Sequence, residues 1–562
     1  MNKSTLKSLT LFLAQALFYY ALVVLSLLLL KFNYPLAPGP LFAIEIACYL
    51  LVGLYVTQAL ALFLLKGFRI FQSYDFIIKV VILGALVVTY SQPPLAASLV
   101  ILEEALRGFR EVMGRASVNR LFDRLRTQPA VLLSSSFAVL IALGAALLSL
   151  PVATEGGRIH FFDALFTATS AVCVTGLVVQ DTGTYFTPFG QGVILGLMQL
   201  GGLGIMTMST SLALIIGKRL SIKERLFMQN VMEENDYQEF ARIFRNIFRM
   251  TFVTEGIGAA VLTARWYFEF KSFGKALYFG IFHSVSAFCN AGFALFSDSF
   301  EAYRTDPVIN ITLTLLIIAG GLGFAVVYGL YNYGKSPKPR HFNLHLKMTL
   351  SVTGILLIGG MLFIFLTEYS SALLDMPLSE KLWISWFQSV TLRTAGFHTI
   401  DISTFTSATL FMFMVFMFIG ASPGSTGGGI KTTTLGVLFF TVRSMIMGRD
   451  TVEGFGRSIP WDIVRKSISM TFIGGGIVTA GVIAFSLVEP FSLMESLFEV
   501  TSASGTVGLS LGVTSKLSAL GKLTLTLLMY MGRIGPLTVA FLISTQKPTR
   551  GYDLPMGKIV VG

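Results

Sequence analysis

Long apolar runs recur along this chain, and from Val131 onward eight of them fall into four pairs. The pairs are Val131–Leu150 with Gln191–Ile216, Met250–Phe268 with Val308–Tyr331, Leu346–Leu366 with Thr409–Thr441, and Ser467–Val488 with Leu520–Ser544. Runs of about twenty apolar residues are long enough to cross a hydrocarbon layer ~30 Å thick as helices. Between the members of each pair lies a shorter segment of small and hydroxyl residues that ends in glycine. The four copies run from Phe166 to Gly176, Phe282 to Gly292, Phe387 to Gly396 and Phe498 to Gly508. The phenylalanine precedes the glycine by ten, ten, nine and ten positions.

A second glycine mark follows in each later run: Gly201-Gly-Leu-Gly204, Gly320-Gly-Leu-Gly323, Gly420-Ala-Ser-Pro-Gly424 and Gly532-Arg-Ile-Gly535. It lies 25, 28, 24 and 24 residues beyond the loop glycine. Two punctuation marks in register identify an internal repeat, and a repeat fixes architecture before any single residue does. The pattern predicts an all-α polytopic membrane protein with four helix–pore-loop–helix units around a pseudo-fourfold pore. The units cover about 131–217, 247–332, 346–441 and 467–546. Each loop segment is too short to cross: a helix of about ten residues rises ~15 Å, and about five extended residues return a similar distance. Such re-entrant backbone survives at that depth only where it lines a cavity or is buried in protein.

Composition agrees with the pattern. Hydrophobic residues make up 54% and charged residues only 13%, about half the charge of a soluble domain. The net charge of +12 would suit nucleic acid, but its placement argues against that partner. Basic residues gather in the connectors Arg107 to Arg126, Lys218 to Arg249, Lys335 to Lys347 and Arg443 to Lys466. These are the marks of cytoplasmic loops, which puts the pore loops on the outer side of a plasma (inner) membrane. The three cysteines, Cys48, Cys173 and Cys289, have no metal-ligand spacing and give no disulfide framework.

Residues 1–129 stand outside the repeat as an N-terminal membrane extension. Apolar runs at Leu9–Leu30, Leu41–Leu65, Phe76–Val88 and, more weakly, Leu95–Leu102 predict three or four helices. The charge rule favours four, with Lys3 and Lys7 on the same side as Lys66 and Arg69. The Leu9–Leu30 run is too long for a signal core and no small-residue cleavage site follows it, so it reads as a retained helix. Glu45, Asp75, Arg107 and Arg110 faintly suggest a voltage sensor. The arginines are not sustained at every third residue, which favours a packing or assembly role.

A pore needs glycine for a physical reason. A dehydrated cation must find fixed oxygens, and main-chain carbonyls supply them without net charge. Aiming successive carbonyls at one axis calls for positive φ, which glycine adopts at no steric cost. The hydroxyls of Thr167, Ser284, Ser389 and Thr501 are placed to anchor the loops from behind.

Residues 130–562 closely resemble the Trk/Ktr/HKT superfamily of potassium transporters, and most of all its Ktr-type ion-translocating membrane subunit. The resemblance rests on Val174-Thr-Gly-Leu177, Phe288-Cys-Asn-Ala-Gly-Phe293, Arg393-Thr-Ala-Gly-Phe397 and Gly505-Thr-Val-Gly-Leu509. It is extended by Gly420–Thr432, Met531-Gly-Arg-Ile-Gly-Pro536 and the tail Tyr552–Gly562. It implies a selectivity filter made of Val174, Thr175, Gly176, Asn290, Ala291, Gly292, Thr394, Ala395, Gly396, Thr506, Val507 and Gly508. Glycine at 176 rather than serine goes, in that family, with potassium as the ion, sodium remaining possible. The resemblance also implies a homodimer and a cytoplasmic nucleotide-binding regulatory ring, and no covalent cofactor.

It further implies a gate beneath the filter, formed by Gly420, Ala421, Ser422, Pro423, Gly424, Ser425, Thr426, Gly427, Gly428, Gly429, Lys431 and Arg533. The residues themselves support a break there. Five glycines and a proline within ten positions would cost a continuous helix roughly 1 kcal/mol per glycine and about 3 for proline. Arg533 sits mid-run, where a cation costs roughly 2.5–3.5 kcal/mol or more; it is expected to tether the gate or set a barrier. Arg393 is expected to pack behind its own loop, and Lys431 to reach either the gate or the cytoplasmic interface.

Other chemistry fails on inspection. Gly424-Ser-Thr-Gly-Gly-Gly-Ile-Lys431 misses the phosphate-loop spacing by the inserted Ile430 and has no preceding strand, so the chain is not read as an enzyme. His283 beside Ser284 lacks an orienting carboxylate. The Gly-Gly-Leu-Gly marks suit close helix packing. A secondary transporter with discontinuous helices would need buried carboxylates in the spans, for which Glu255 and Glu499 are the clearest candidates.

Overall fold

The computed structural model describes residues 38–66, 129–215, 237–335, 342–536 and 538–539, with scattered positions between 13 and 27 and between 97 and 104. The expected run Phe76–Val88, the basic connector Arg107–Arg126, most of Lys218–Arg249 and the tail Tyr552–Gly562 lie outside the described residues. The chain divides into two compact units, residues 1–127 with 150–152, and residues 128–149 with 153–562.

The first unit holds helix α1 (Pro38–Lys66). One stripe of it, Ile44, Cys48, Leu51 and Tyr55, is buried with Leu17, Ala21, Val24, Ala97 and Val100. The 3–4 spacing of that stripe is the mark of a helix packed on one face and open on the other.

The second unit is built four times over from an outer helix, a short pore helix and an inner helix. The first repeat has α2 (Pro129–Leu148), α3 (Phe161–Val172) and α4 (Pro188–Ile215). The second has α5 (Tyr237–Phe270), α6 (Phe273–Phe288), and an inner helix in two pieces, α7 (Pro307–Leu322) and α8 (Phe324–Lys335). In the third, α9 (Leu344–Glu368) and α10 (Leu378–Thr391) precede another broken inner helix, α11 (Ser407–Phe418) and α12 (Thr432–Ile446). The fourth has α13 (Trp461–Val488), α14 (Leu493–Gly505) and α15 (Ala519–Ile534). Among the described residues the only strands are a two-residue pair, Glu453–Gly454 with Arg457–Ser458, between α12 and α13. Four described stretches are long and apolar enough to cross a membrane: Gly39–Ala61, Arg245–Phe270, Leu344–Glu368 and Trp461–Val488.

The phenylalanine that opens each loop copy is a core anchor. Phe166, Phe282, Phe387 and Phe498 are all fully or almost fully buried, where pore helices meet their neighbours. Polar anchors tie the ends. The part-buried pair Lys522–Asp163, 2.6 Å, joins α15 to α3, so the last repeat is fastened to the first. Glu368, fully buried at the end of α9, accepts from the Thr406 amide at 3.1 Å, the Thr406 hydroxyl at 2.6 Å and the Thr409 hydroxyl. A carboxylate at the N-terminus of α11 is favoured by the helix dipole as well. Glu368→Ala would orphan these donors at a cost of about 3 kcal/mol or more. Thermal unfolding in detergent should show a midpoint lower by several degrees, and an unchanged midpoint would show that the network is dispensable.

Inner helices differ from the expected continuous spans. Val308–Tyr331 breaks at Gly323, with φ 84° and ψ 147°. Gln191–Ile216 breaks at Gly204, with φ 71° and ψ 155°, and α15 stops at Gly535, with φ 87° and ψ 148°. These angles suit glycine alone. Helix packing therefore accounts for only part of the Gly-Gly-Leu-Gly mark. The first glycine does serve close approach: a Cβ on Gly201, Gly320 or Gly532 would strike the carbonyl of Val172, Phe288 or Ser504 at the end of a pore helix. The last glycine ends the helix.

Candidate functional site

The four loops meet at one place. A Cβ built on Gly176 would lie 2.6 Å from the Ala291 carbonyl oxygen, on Gly292 2.9 Å from that of Ala395, and on Gly396 2.5 Å from that of Val507. On Gly508 it would strike the Thr175 oxygen, which closes the ring in the order of the repeats. The four glycines have φ of 91°, 72°, 80° and 96°.

Two residues earlier, Val174, Asn290, Thr394 and Thr506 also have positive φ, 54°, 58°, 67° and 52°. Such angles are uncommon outside glycine and cost about 1–3 kcal/mol each, so four in register are imposed by their surroundings. Left-handed residues two apart, with Thr175, Ala291, Ala395 or Val507 between at negative φ, turn successive carbonyls to one side. An ordinary strand would alternate them. Eleven of the twelve residues expected in the filter are buried at this junction, and Gly292 is half-buried.

The loops are stapled from behind by their own pore helices. Thr175, Ala291 and Val507 amides each donate five residues back, to Ser170, Ser286 and Ser502 oxygens at 2.8 Å. In the third loop Ala395 donates four back, to Thr391, at 3.0 Å. That loop is the one shorter by a residue, so a tighter turn absorbs the deletion and the glycine stays in the ring. The hydroxyls of Ser170 and Ser502 accept from the Gly176 and Gly508 amides at 3.1 Å, while Ser286 donates to the Phe293 carbonyl at 2.8 Å.

Two of the four expected anchors act elsewhere. Ser284 and Ser389 bond the outer helices at Glu255 and Leu357 carbonyls, 2.7 and 2.6 Å, and the Thr167 hydroxyl has no partner. His283 is structural: its Nδ1 bonds the Phe279 carbonyl at 2.8 Å and its Nε2 accepts from the Leu295 amide at 3.0 Å. The fourth pore helix starts in a capping box, in which the Ser492 hydroxyl and amide hold the Glu495 carboxyl below the usual carboxylate range.

Against one end of this ring lies the segment between α11 and α12. It doubles back on itself: Ile430 donates to Phe418 at 3.2 Å, and Ala421 to Gly428 at 3.3 Å. A Cβ on Gly427 would strike the Thr394 hydroxyl, and one on Gly428 that of Thr506. The segment therefore lies against Thr394 and Thr506 with nothing larger than hydrogen, as a plug at one end of the ring would.

The plug is held by groups that the helix breaks release. In an unbroken inner helix the Gly320 carbonyl would accept from Phe324. With the break at Gly323, Phe324 donates to Gly424 at 3.3 Å, and Gly320 and Gly321 carbonyls accept from Thr426 at 3.3 Å and Ser422 at 3.0 Å. Arg533 completes the fastening by donating to the carbonyls of Thr426 in the plug and Gly201 beside the first break. Lys431 turns back on the segment and donates to the Gly427 carbonyl at 2.8 Å. The sequence gives no direct sign of these cross-links; the repeated glycine triplet was the available signal, and packing explained too much of it.

Four loops closed into one ring among long apolar helices are the arrangement of a membrane cation transporter. The TrkH cation transport protein family matches residues 122–552, and the chain belongs to that family. It is 38% identical to the Ktr system potassium uptake protein B of Bacillus subtilis over 79% of this chain and 99% of that protein. It is equally 38% identical to the potassium/sodium uptake protein NtpJ of Enterococcus hirae, over 78% of this chain and 98% of that one. The fold matches the crystal structure of the potassium transporter TrkH from Vibrio parahaemolyticus with a TM-score of 0.60 at 17% identity, covering 89% of this chain and 97% of that one.

Proposed function

We propose that this protein carries potassium ions across the plasma (inner) membrane, inward, through the four-loop ring, and that the segment from Gly420 to Lys431, tied by Arg533, is its gate. The observation that carries the reading is the closed ring of Gly176, Gly292, Gly396 and Gly508 with Gly427 and Gly428 pressed beneath it. The carbonyls there would take the place of an ion's water shell, and the ion is cargo rather than a resident cofactor. The names of two relatives, potassium uptake protein B and potassium/sodium uptake protein NtpJ, support potassium and keep sodium as the competitor to test.

Mechanism follows from the plug. While Ala421, Ser422, Thr426 and Arg533 hold their bonds the lower end of the ring is covered. Displacing the segment requires breaking bonds to Gly320, Gly321 and Phe324 together, so the gate should move as one piece. The basic connectors support an orientation with the ring's outer end outside the cell. Relatives named as parts of a Ktr system support a transporter that works with other subunits; a homodimer on a cytoplasmic nucleotide-binding ring is what the family resemblance implies for them. Of the two carboxylates that a coupled transporter would need, Glu499 is spent on structure: it accepts from the Ser510 and Thr514 hydroxyls and the Leu511 amide.

The test is cation uptake into liposomes holding the purified protein, with rubidium as tracer. Potassium should displace the tracer far better than sodium. Equal displacement would move the reading to a sodium-permeable transporter of the same fold.

A further inference from the structure

Counting three residues back from each ring glycine gives Cys173, Cys289, Arg393 and Gly505. Three of the four repeats are neutral there, and the third carries a cation. Its side chain is enclosed: Arg393 is 4% exposed, and its Nε and Nη2 have no hydrogen-bond partner. It forms no ion pair among the described residues.

Two half-buried basic groups near the gate are occupied, Arg533 by the Thr426 and Gly201 carbonyls and Lys431 by that of Gly427. Glu255, a buried carboxylate of the second repeat, is engaged by Gln199 at 3.2 Å and by the Cys289 thiol. Arg393 is held in place through its main chain. Its amide donates to Val390 at 3.2 Å, and its carbonyl accepts from Asn290 of the second repeat at 3.3 Å.

We propose that Arg393 is a fixed positive charge in the filter wall that weakens the hold of the filter on any monovalent cation and so sets the concentration at which uptake half-saturates. The proposal rests on the filter reading above. Three residues of chain span at most about 10 Å, which puts the Arg393 backbone within that distance of its ring glycine. The side chain adds at most about 7 Å, and unit charges about 10–17 Å apart, in surroundings with an effective dielectric near 20, change an ion's occupancy by about five- to fifteenfold. The charge also lies just past the C-terminal end of α10, the negative end of the helix dipole. There it competes with a permeating cation for the same stabilisation. A filter must hold ions weakly enough to release them, and one charged wall in four does this without altering the ring.

The field of a point charge does not distinguish potassium from sodium, and this separates the proposal from a structural role. Half-saturation for potassium and for sodium is measured in liposomes for wild type, Arg393→Gln, Arg393→Lys and, in parallel, Gly176→Ser. Arg393→Gln should lower both values about tenfold with their ratio unchanged, and Arg393→Lys should stay near wild type. Arg393→Met replaces the glutamine variant if that one does not fold. Unchanged half-saturation in the neutral variant, an equal shift in the lysine variant, or a shift accompanied by a changed ratio each overturns the proposal. If instead Gly176→Ser leaves flux and ratio untouched, the filter reading itself has failed.

Discussion

Gly508→Ala is expected to abolish potassium flux, by roughly 100-fold or more, in a protein that still folds. Two costs fall on the same atom. The position has φ 96°, a region in which a side chain is strained by about 1–3 kcal/mol. The new methyl group would also strike the Thr175 oxygen and crowd Gly176. Those atoms belong to the first repeat, so the error crosses the seam where the ring closes. Each 1.4 kcal/mol lost from an ion's stabilisation is about a factor of ten, and two carbonyl positions are disturbed at once. Tracer uptake into liposomes, normalised to monodisperse protein, measures the effect. A variant with half the wild-type flux would show that the ring is not the path.

Arg533→Gln is expected to act in the opposite direction, raising flux in the absence of any partner. Its guanidinium donates to the Thr426 and Gly201 carbonyls, and a hydrogen bond from a charged group contributes about 1.5–3 kcal/mol. Losing even one of them favours a displaced plug by roughly tenfold to a hundredfold. The substitution also removes a charge from the space beneath the ring. Both effects favour passage, so basal uptake should rise at least tenfold. Basal flux equal to wild type would mean that Arg533 neither holds the plug nor bars the ion.

The architecture was legible because both repeat marks are spaced along the chain in a way that folding preserves. Phe166, Phe282, Phe387 and Phe498 became core anchors, and Gly176, Gly292, Gly396 and Gly508 became the ring. A shortened loop was visible at Phe387–Gly396, though not the tighter turn at Ala395 that accommodates it.

Less legible were contacts between distant residues. Gly320 and Gly321 carbonyls receive the plug some hundred residues away, and nothing local to either segment signals the pairing. Hydrophobicity read Val308–Tyr331 as one helix because Phe324 and its neighbours are as apolar as the residues before the break. Only the third glycine of the mark, Gly323, differs, and its φ of 84° is a backbone property that hydropathy does not register. The serine staples were missed for a related reason. Ser170 and Ser502 stand six residues before the amides they hold, nearer than Thr167 and Thr501, because the chain turns back more sharply than an extended return would.

The ring of four loops is tested most directly by the potassium-to-sodium uptake ratio of purified protein in liposomes, wild type against Gly176→Ser. The added hydroxymethyl group would meet the Ala291 oxygen and Gly292 of the next repeat. A wild-type preference for potassium that collapses toward equal uptake of both ions is the expected result. An unchanged ratio at unchanged flux would contradict the four-loop filter, and the ion's path would have to lie elsewhere.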